Sequence, residues 1–579
     1  IMRIKHFFGL AVIAAMTASC SSNNDLVNGG NGSGENESGA SYASFSINLP
    51  TTRGTRAADP TFEKGDAKEY DVNDVTLLVF KEAGSSEGAY TYVENVTLGS
   101  MAPWTDPSET GVTTHAKITA QLKNVNTTDQ FYALVLLNNG SGTDAKVTLP
   151  STGKTYSEWN VATNAKNFEK TDKGFYMANA PLFDNTTHKV TTLVPIKKEN
   201  IYPTEAQASA GTAAADIYVE RGLAKVTLGT STGDNKTVAD GTYVNDKVKI
   251  SNWALDVTNL KTFPIHNVEG LATETEYKDI WQNTTTASPT NGATNQRFVD
   301  NKPETQVKRV YWGKDPNYNV DKLCDATEQG NTDRGAEFDY VDTKDELTAA
   351  LTTPLYCLEN TFNLKNMMQG QTTRVIFKAT YTPHSFTAAD GNTFFKIGKN
   401  VELWSKTKLE EHIKAAVTNV VNGAAAPSAT ITVTLAATEN DITKAGNHLL
   451  AKENIKVNDN AITDADATAI NNKLGLSKDA GISTYENGES YYIARIKHFG
   501  DDLTKWESGQ YGPDNLSYLG RYGVLRNNWY ELTVGKVSSP GYPDIPKVKP
   551  NTPDDEDDKY INVSVKILDW AKRSQSVDL

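Results

Sequence analysis

The chain is poor in the residues that build metal and redox sites. Its 579 residues include three cysteines and eight histidines, and none is spaced as in a CxxC, HExxH or zinc-finger pattern. P-loop and EF-hand motifs are also absent, and the carboxylates of its 71 acidic residues form no directed pair. The sequence therefore predicts no catalytic residues, no metal and no cofactor, and a protein that is not an enzyme.

Positive charge is also scarce. Lys and Arg number 57 against 71 Asp and Glu, for a formal net charge of -14. Such an acidic chain lacks the basic patch that nucleic acid or an anionic membrane surface attracts. We therefore expect no nucleic-acid partner, and membrane contact only through a covalent anchor.

Long apolar runs are missing, and a short one near the start of the chain is a targeting signal. Arg3 and Lys5 precede an apolar stretch over residues 7–16, which is too short to span a bilayer. Residues 17–20 read Thr-Ala-Ser-Cys, so small residues lead directly to a cysteine as in a bacterial lipobox. We predict a lipoprotein signal peptide over residues 1–20 with lipidation of Cys20. A plain signal peptide with an incidental cysteine is the alternative.

The rest of the chain favours β-structure. Residues 21–41 consist mostly of Gly, Asn, Ser and Glu and are predicted to form a flexible tether. Beyond them, short alternating or apolar runs are separated by turn residues, which predicts β-sandwich domains with a few short helices. A domain boundary is expected within 205–215, and helices over 345–351, 401–421 and 465–474. The expected strands are 75–80, 116–122, 131–137, 190–196, 223–228, 248–257, 374–381, 429–435, 491–498 and 529–534.

Two strands at opposite ends of the chain share one pattern. Near the start, Ala43, Phe45, Ile47 and Leu49 alternate with polar residues. Near the end, Ile561, Val563, Val565 and Ile567 do the same, followed by Leu568. Each therefore has one apolar and one polar face, and the two are interchangeable inserts for the same kind of groove.

A polar segment separates the first of these strands from the body. Residues 51–60 read Thr-Thr-Arg-Gly-Thr-Arg-Ala-Ala-Asp-Pro, and exposed loops of this kind are where proteases cut folded proteins. Cleavage between Arg56 and Ala57, or between Arg53 and Gly54, would separate the strand from the fold. The open edge could then take the C-terminal strand of a neighbouring copy. Ordinary terminal strands and an incidental arginine are the simpler alternative.

Several segments resemble the fimbrillin family of the Bacteroidales (type V pilins). Residues 520–534 read Gly-Arg-Tyr-Gly-Val-Leu-Arg-Asn-Asn-Trp-Tyr-Glu-Leu-Thr-Val and are similar to the late signature of that family. The further similar pieces are Val-Glu-Arg-Gly-Leu-Ala-Lys-Val at 219–226, Leu-Tyr-Cys-Leu-Glu-Asn-Thr at 355–361 and Tyr-Tyr-Ile-Ala-Arg-Ile at 491–496. The resemblance extends over essentially the whole chain.

The resemblance implies a fold: two transthyretin-like β-sandwich domains. Mapped onto this chain, it gives a tether and removable strand over 21–56, an N-terminal domain over 57–212, a C-terminal domain over 213–545, and a linker with the donor strand over 546–579. It also implies export as a lipoprotein to the outer-membrane surface and removal of the N-terminal segment by an Arg-specific protease, followed by polymerisation through strand exchange.

The resemblance further implies a role and partners. Because this chain has both the cleavable loop and the C-terminal donor strand, it is expected to be a shaft subunit of a fimbrium that supports adhesion and biofilm formation. Its expected partners are other copies of itself, accessory tip and anchor subunits, the processing protease, and receptors on host or bacterial surfaces.

Two questions stay open at this stage. A surface lipoprotein that binds glycans is the alternative function, with Trp253, Trp281 and Trp312 as candidate sugar-stacking residues. Cys324 and Cys357 could form a disulfide in an oxidising compartment or remain buried thiols.

Overall fold

The fold was analysed in a computed structural model of the chain. The structure describes residues 41–50, 67–98, 112–165, 167–168, 170–184, 189–270, 307–310, 312–318, 335–361, 366–436, 441–498, 518, 520–550, 552–554, 561–568 and 573–574. Cys20, Arg53, Gly54, Arg56, Ala57, Trp281 and Cys324 lie outside these residues.

The described chain is mostly β. The first strands are β1 (Ser41–Pro50), β2 (Val75–Lys81), β3 (Thr91–Thr97), β4 (Val112–Leu122), β5 (Phe131–Leu137), β6 (Thr163–Asn164), β7 (Met177–Asn179), β8 (Leu182–Asp184), β9 (Lys189–Thr191), β10 (Val194–Pro195) and β11 (Ile201–Tyr202). The middle strands are β12 (Ala215–Arg221), β13 (Leu223–Leu228), β14 (Lys236–Thr237), β15 (Lys247–Asp256), β16 (Thr258–Asn259), β17 (Lys261–Thr262), β18 (Val307–Arg309), β19 (Phe338–Asp339), β20 (Ala349–Ala350) and β21 (Leu355–Leu358).

The last strands are β22 (Arg374–Thr382), β23 (Phe394–Ile397), β24 (Ile431–Val433), β25 (Ile455–Val457), β26 (Asn460–Ala461), β27 (Ile482–Tyr485), β28 (Glu489–Arg495), β29 (Trp529–Val537), β30 (Ile561–Leu568) and β31 (Arg573–Ser574). The α-helices within the described residues are α1 (Ala67–Tyr70), α2 (Tyr156–Trp159), α3 (Glu205–Ala210), α4 (Lys406–Val420) and α5 (Asp464–Lys473). The prediction of a mostly β fold with a few short helices is therefore confirmed.

The N-terminal part of the chain is organised around a nine-stranded sheet. Its order is β4-β1-β12-β7-β5-β2-β3, with β11 pairing the beginning of β1 on the side of β12 and with β10 pairing β5. β2 and β5 read as nearly unbroken apolar runs, and nearly all of their residues are buried. They pair in antiparallel register from Val75 opposite Leu137 to Lys81 opposite Phe131 and lie in the apolar core of this part.

The C-terminal part contains two five-stranded sheets. One has the order β21-β13-β29-β30-β31, and the other runs β14-β15-β22-β28 with β20 on β15. Alternate residues of these strands build a second core, in which Trp253, Tyr381, Tyr492 and Tyr530 are almost completely buried. Because β12 and β13 are separated only by Gly222, one continuous segment passes from the N-terminal sheet into the C-terminal one.

A compact module is inserted between the neighbouring strands β22 and β28. It contains α4, α5 and strands β23 to β27 and has its own apolar core. The predicted helix over 401–421 is α4, whose N-cap Ser405 accepts from the backbone N–H of Lys408. The predicted helix over 465–474 is α5, which begins with a Thr463–Asp466 capping box. Both predictions are confirmed.

Two sequence predictions differ from the structure. No α-helix forms over 345–351, because the chain makes one 3₁₀ turn and then pairs β20 with β15. The predicted strand over 190–196 is divided into β9 and β10, because the carboxylate of Glu87 accepts from the backbone N–H groups of Thr192 and Leu193. The other nine predicted strands each coincide with an observed strand.

Candidate strand-exchange site

The first strand lies inside the N-terminal sheet with neighbours on both sides. On one side, β1 is antiparallel to β4 along its whole length, from Ser41 opposite Leu122 to Pro50 opposite Val112. On the other side it is parallel to β12 over residues 45–48 and antiparallel to β11 at residues 42–43. We call the space that β1 fills between these strands the slot.

The apolar face of β1 is part of the domain core. Ala43, Phe45, Ile47 and Leu49 each have 0% relative exposure. The polar face is less enclosed, since Ser46 and Asn48 are half-buried. Burial of the three large side chains contributes about 1.5–3 kcal/mol each. Removal of β1 would therefore leave an apolar groove.

One wall of the slot depends on β1. Among the described strands, β1 is the only one that pairs with β4. The far end of this wall is fixed by Glu94 of β3, whose carboxylate accepts from the backbone N–H groups of Lys123 at 3.1 Å and Asn124 at 3.0 Å. The outer side is closed by Lys117 of β4, which donates to the carbonyl oxygens of Ser209 and Gly211 at the end of α3. Since α3 contacts both β1 and β4, it covers this side of the slot.

Sequence reasoning missed these two wall residues. Glu94 occupies an inward position of β3, next but one to buried Tyr92, where an apolar residue would be expected. A carboxylate at such a position was the available signal, because buried charged groups are almost always hydrogen-bonded or paired. Lys117 carries no signal, since a lysine on the outer face of a strand is ordinary.

The chain is fixed again soon after the segment that carries the predicted cleavage points. The carboxylate of Glu69 in α1 is completely buried and pairs with Lys225 of β13 at 2.8 Å. The hydroxyl of Tyr356 also donates to Glu69, and Arg221 donates to its backbone carbonyl at 2.8 Å. Residues 51–66 thus connect two anchored elements, β1 and α1.

The predicted donor strand pairs with its own C-terminal sheet. Ile561, Val563, Val565, Ile567 and Leu568 all lie in β30, which is antiparallel to β29 from Trp529 opposite Leu568 to Val537 opposite Ile561. Since β1 and β30 belong to different sheets, the structure does not bring the two strands together. Within one chain the slot is filled by β1. The C-terminal tail, through its strand β30, pairs with β29.

The signature segment 520–534 forms the turn that leads into β29. Asn527 has a positive φ of 58°, a conformation that asparagine tolerates better than most residues. Its side-chain oxygen accepts from the backbone and guanidinium of Arg221 at 3.3 and 3.2 Å. Arg526 forms a buried ion pair with Glu359. Burial lowers the pKa of the arginine, but the charge and hydrogen bond of that carboxylate raise it overall. This turn holds β29 beside β13.

Other candidate sites find no support in the described residues. Trp253 and Trp312 are completely buried and therefore cannot stack on a sugar. Cys357 is buried in β21, and its pairing with Cys324 stays open. In the described part of the chain, no group of three or more His, Cys, Asp or Glu side chains is arranged to hold a metal ion. No helix in the same part is both long and apolar enough to cross a membrane.

The C-terminal end of the chain matches a known protein family. Residues 483–576 match the family described as "Major fimbrial subunit protein type IV, Fimbrillin, C-terminal". The matched region includes the signature turn, β29 and β30, and it is that of a structural protein, a fimbrial subunit. Over these residues the chain is similar to the fimbrillin family, which confirms the resemblance predicted from the sequence. Within this family the sequence most resembles the minor fimbrillin, the shaft subunit of short fimbriae, and this narrower assignment stays a prediction.

Three solved structures from Parabacteroides distasonis also resemble the chain. Two are candidate cell adhesion proteins, with TM-scores of 0.38 and 0.34 at 11% and 12% identity; they cover 92% and 91% of this chain and 98% and 99% of their own. The third is a fimbrial assembly protein with a TM-score of 0.25 at 10% identity, covering 62% of this chain and 93% of its own. Scores this low define neither fold nor function. No curated protein matches the chain.

Proposed function

We propose that this protein is a shaft subunit of a cell-surface fimbrium and that it polymerises by exchange of β1 for β30 of a neighbouring copy. It is exported as a lipoprotein on Cys20. An Arg-specific protease cuts between Arg56 and Ala57, or between Arg53 and Gly54, and β1 leaves with the tether. The fimbrium then supports adhesion and biofilm formation through contacts with tip and anchor subunits and with receptors on host or bacterial surfaces.

The observation that carries this proposal is the position of β1. It buries its entire apolar face and is the only described strand that pairs with β4, yet it is joined to α1 solely by the segment that contains both arginines. A single cut in that segment detaches a strand that the sheet needs. The vacant slot then exposes unpaired backbone groups on β4 and β12 together with an apolar groove, and both features recruit an extended strand.

Transfer of β30 to a neighbouring subunit is energetically reasonable, because the strand exchanges its backbone hydrogen bonds with β29 for backbone hydrogen bonds in the slot. On its own subunit, β30 pairs along its length with β29 and only at residues 566 and 567 with β31. In the slot it would lie between β4 and β12 and pair on both sides. Four inward apolar residues would replace Ala43, Phe45, Ile47 and Leu49, with roughly 1.5–3 kcal/mol for each large side chain.

The test compares four forms of the full precursor: the unaltered chain, Arg53→Ala/Arg56→Ala, a deletion of residues 561–579, and an equal mixture of the unaltered and deleted chains. Each is treated with an Arg-specific protease and followed by size-exclusion chromatography and electron microscopy. We expect full-length fibres from the unaltered chain, shorter fibres from the mixture, and none from the arginine variant or from the deletion alone. The mixture gives shorter fibres because a subunit without a tail can accept a strand but cannot donate one. Fibres from the arginine variant or from the deletion alone would refute the proposal.

A further inference from the structure

The segment before the tail is bound to its own C-terminal half over most of its length. We call residues 538–554 the strap; all but residue 551 are described. Its later part alternates, with Pro546, Val548 and Pro550 buried and the lysines between them exposed. This period of two is that of an extended chain with one face against the protein.

The beginning of the strap is held by tyrosine side chains of the inserted module and of β28. Tyr492 donates its hydroxyl to the carbonyl of Ser539, and Tyr485 donates to Gly541, both at 2.9 Å. Tyr542 then exchanges two backbone hydrogen bonds with Tyr491, each at 2.9 Å. These contacts attach the strap alongside β28.

The middle of the strap covers buried groups of the sheet. Tyr542 and Ile545 pack on a small apolar cluster that includes Ile376 and Ile493. Arg374, which is 1% exposed, donates to the carbonyl of Pro546 at 2.6 Å and forms an ion pair with Asp256 at 2.6 Å. Lifting the strap would expose the cluster and remove one partner of a buried guanidinium, which is unfavourable.

The end of the strap is held most specifically. Gln369 donates its backbone N–H to Thr552 at 2.9 Å, and Asp554 donates to Met367 at 3.1 Å. The Asp554 carboxylate, 1% exposed, accepts from the hydroxyl of Thr372 at 2.9 Å. Asp554 is the last residue before β30 that the structure describes, and it is anchored.

We propose that the strap stays bound to its own C-terminal half when the tail is donated, so that each inter-subunit connection starts at Asp554. This inference rests on the proposed strand exchange. It adds which surface of the donor subunit lies near the slot of the acceptor subunit. Seven residue steps join Asp554 to Ile561 and reach at most about 25 Å, whereas the steps from Ser538 would reach roughly 80 Å. A bound strap therefore places the surface around Asp554 against the slot of a second copy.

A disulfide lock on the strap tests this inference. Met368 and Pro553 are opposite residues of an antiparallel bridge, and the flanking backbone bonds from Gln369 and Asp554 make them a non-hydrogen-bonded pair. Such pairs have Cα atoms about 4.5 Å apart, which suits a disulfide. The variant is Met368→Cys/Pro553→Cys. After oxidation and proteolysis, we expect it to form fibres at a rate within about twofold of its own reduced form.

A second lock separates failure of this inference from failure of strand exchange. Thr533 of β29 lies opposite Ser564 of β30, so Thr533→Cys/Ser564→Cys holds the tail on its own subunit. Oxidised, this variant should form no fibres, and reduction should restore them. The unaltered chain under the same oxidant is the control for Cys324 and Cys357.

The outcomes are distinct. Fibres from the oxidised strap variant together with none from the oxidised tail variant support the inference. Loss of fibres from the oxidised strap variant, with recovery on reduction, would show that the strap must detach and would overturn the inference while leaving strand exchange intact. Fibres from the oxidised tail variant would instead contradict the proposed exchange itself.

Discussion

Ile47 of β1 and Ile217 of β12 are register partners in a parallel strand pair, and both side chains have 0% relative exposure. A residue close to the start of the chain is thus part of the same core layer as one that leads into the C-terminal half. The N-terminal core is complete only while a strand occupies the position of β1, and this dependence underlies the first two predictions.

A charge on the inward face of β1 should destabilise the precursor and leave the cleaved protein unchanged. Ile47→Asp buries an unpaired carboxylate, and we expect the free energy of unfolding of the precursor to fall by about 4 kcal/mol. Ser46→Asp, on the half-buried face, should cost less than about 1 kcal/mol. Urea unfolding followed by fluorescence measures both. After Arg-specific cleavage and removal of β1, the two variants and the unaltered protein should unfold identically; a persistent difference would show that β1 does not leave.

Loss of the Glu94 carboxylate should loosen the β4 wall most when the slot is empty. Glu94→Ala leaves the N–H groups of Lys123 and Asn124 without their acceptor, at a cost of about 1.5–3 kcal/mol. Amide hydrogen exchange over residues 112–124 should rise modestly in the precursor and strongly in the cleaved monomer, because β1 still holds β4 only in the precursor. The matched control is Glu82→Ala, which removes an exposed carboxylate directly after β2, in the connection to β3. An equal rise in hydrogen exchange in the precursor and in the cleaved monomer would show that Glu94 does not hold β4 in place of β1.

The buried pair of Glu69 and Lys225 should be sensitive to the loss of one partner. Glu69→Gln leaves the lysine charge, only 5% exposed, without its carboxylate, and we expect a loss of about 3–5 kcal/mol in the free energy of unfolding. The double variant Glu69→Gln/Lys225→Met removes that charge and should recover most of the loss. Lys173→Ala, which breaks an exposed pair with Asp144, should leave the free energy of unfolding almost unchanged. Urea unfolding at constant pH distinguishes these cases.

Glu87 should make the N-terminal part less stable as the pH rises. Burial raises the pKa of this carboxyl from 4.5 to about 7, against hydrogen bonds from Thr192 and Leu193 that lower it. The folded protein therefore holds the proton more tightly than the unfolded chain. The stabilisation is complete below pH 4.5 and is lost as the pH rises through about 7.

The matching variant is Glu87→Gln, which cannot ionise. Relative to it, the unaltered protein should lose about 1–3 kcal/mol of unfolding free energy between pH 5 and pH 8. Burial also raises the pKa of Asp315 to about 7, but that group is present in both proteins and cancels in the comparison. Parallel stability curves for the two proteins would mean that Glu87 titrates alike in the folded and unfolded states.

An element of secondary structure could be predicted from the sequence where the residues that determine it are close together in the chain. The apolar spacing at Leu409, Ile413 and Val417 predicts α4, and all three side chains are buried in the module core. The divided strand at 190–196 shows the limit of such patterns. Its backbone N–H groups bond to Glu87, a residue about one hundred positions earlier, and no local pattern records that contact.

The strap illustrates the same limit at the other end of the chain. Prolines favour an extended backbone in this segment, but extension alone does not tell whether the segment is anchored. The anchoring depends on side chains of Tyr485, Tyr492 and Arg374, which come from elements far from the strap in sequence.

The sequence by itself determined the class of fold, the alternating faces of β1 and β30, and the resemblance to the fimbrillin family in residues 520–534. These features depend on the periodicity and identity of neighbouring residues, which the chain carries locally. Only the tertiary structure decided that β1 lies between β4 and β12, that β30 pairs with β29, and that Asp554 anchors the strap. These relationships join residues hundreds of positions apart, and they are selected by which apolar faces and backbone groups can be buried together.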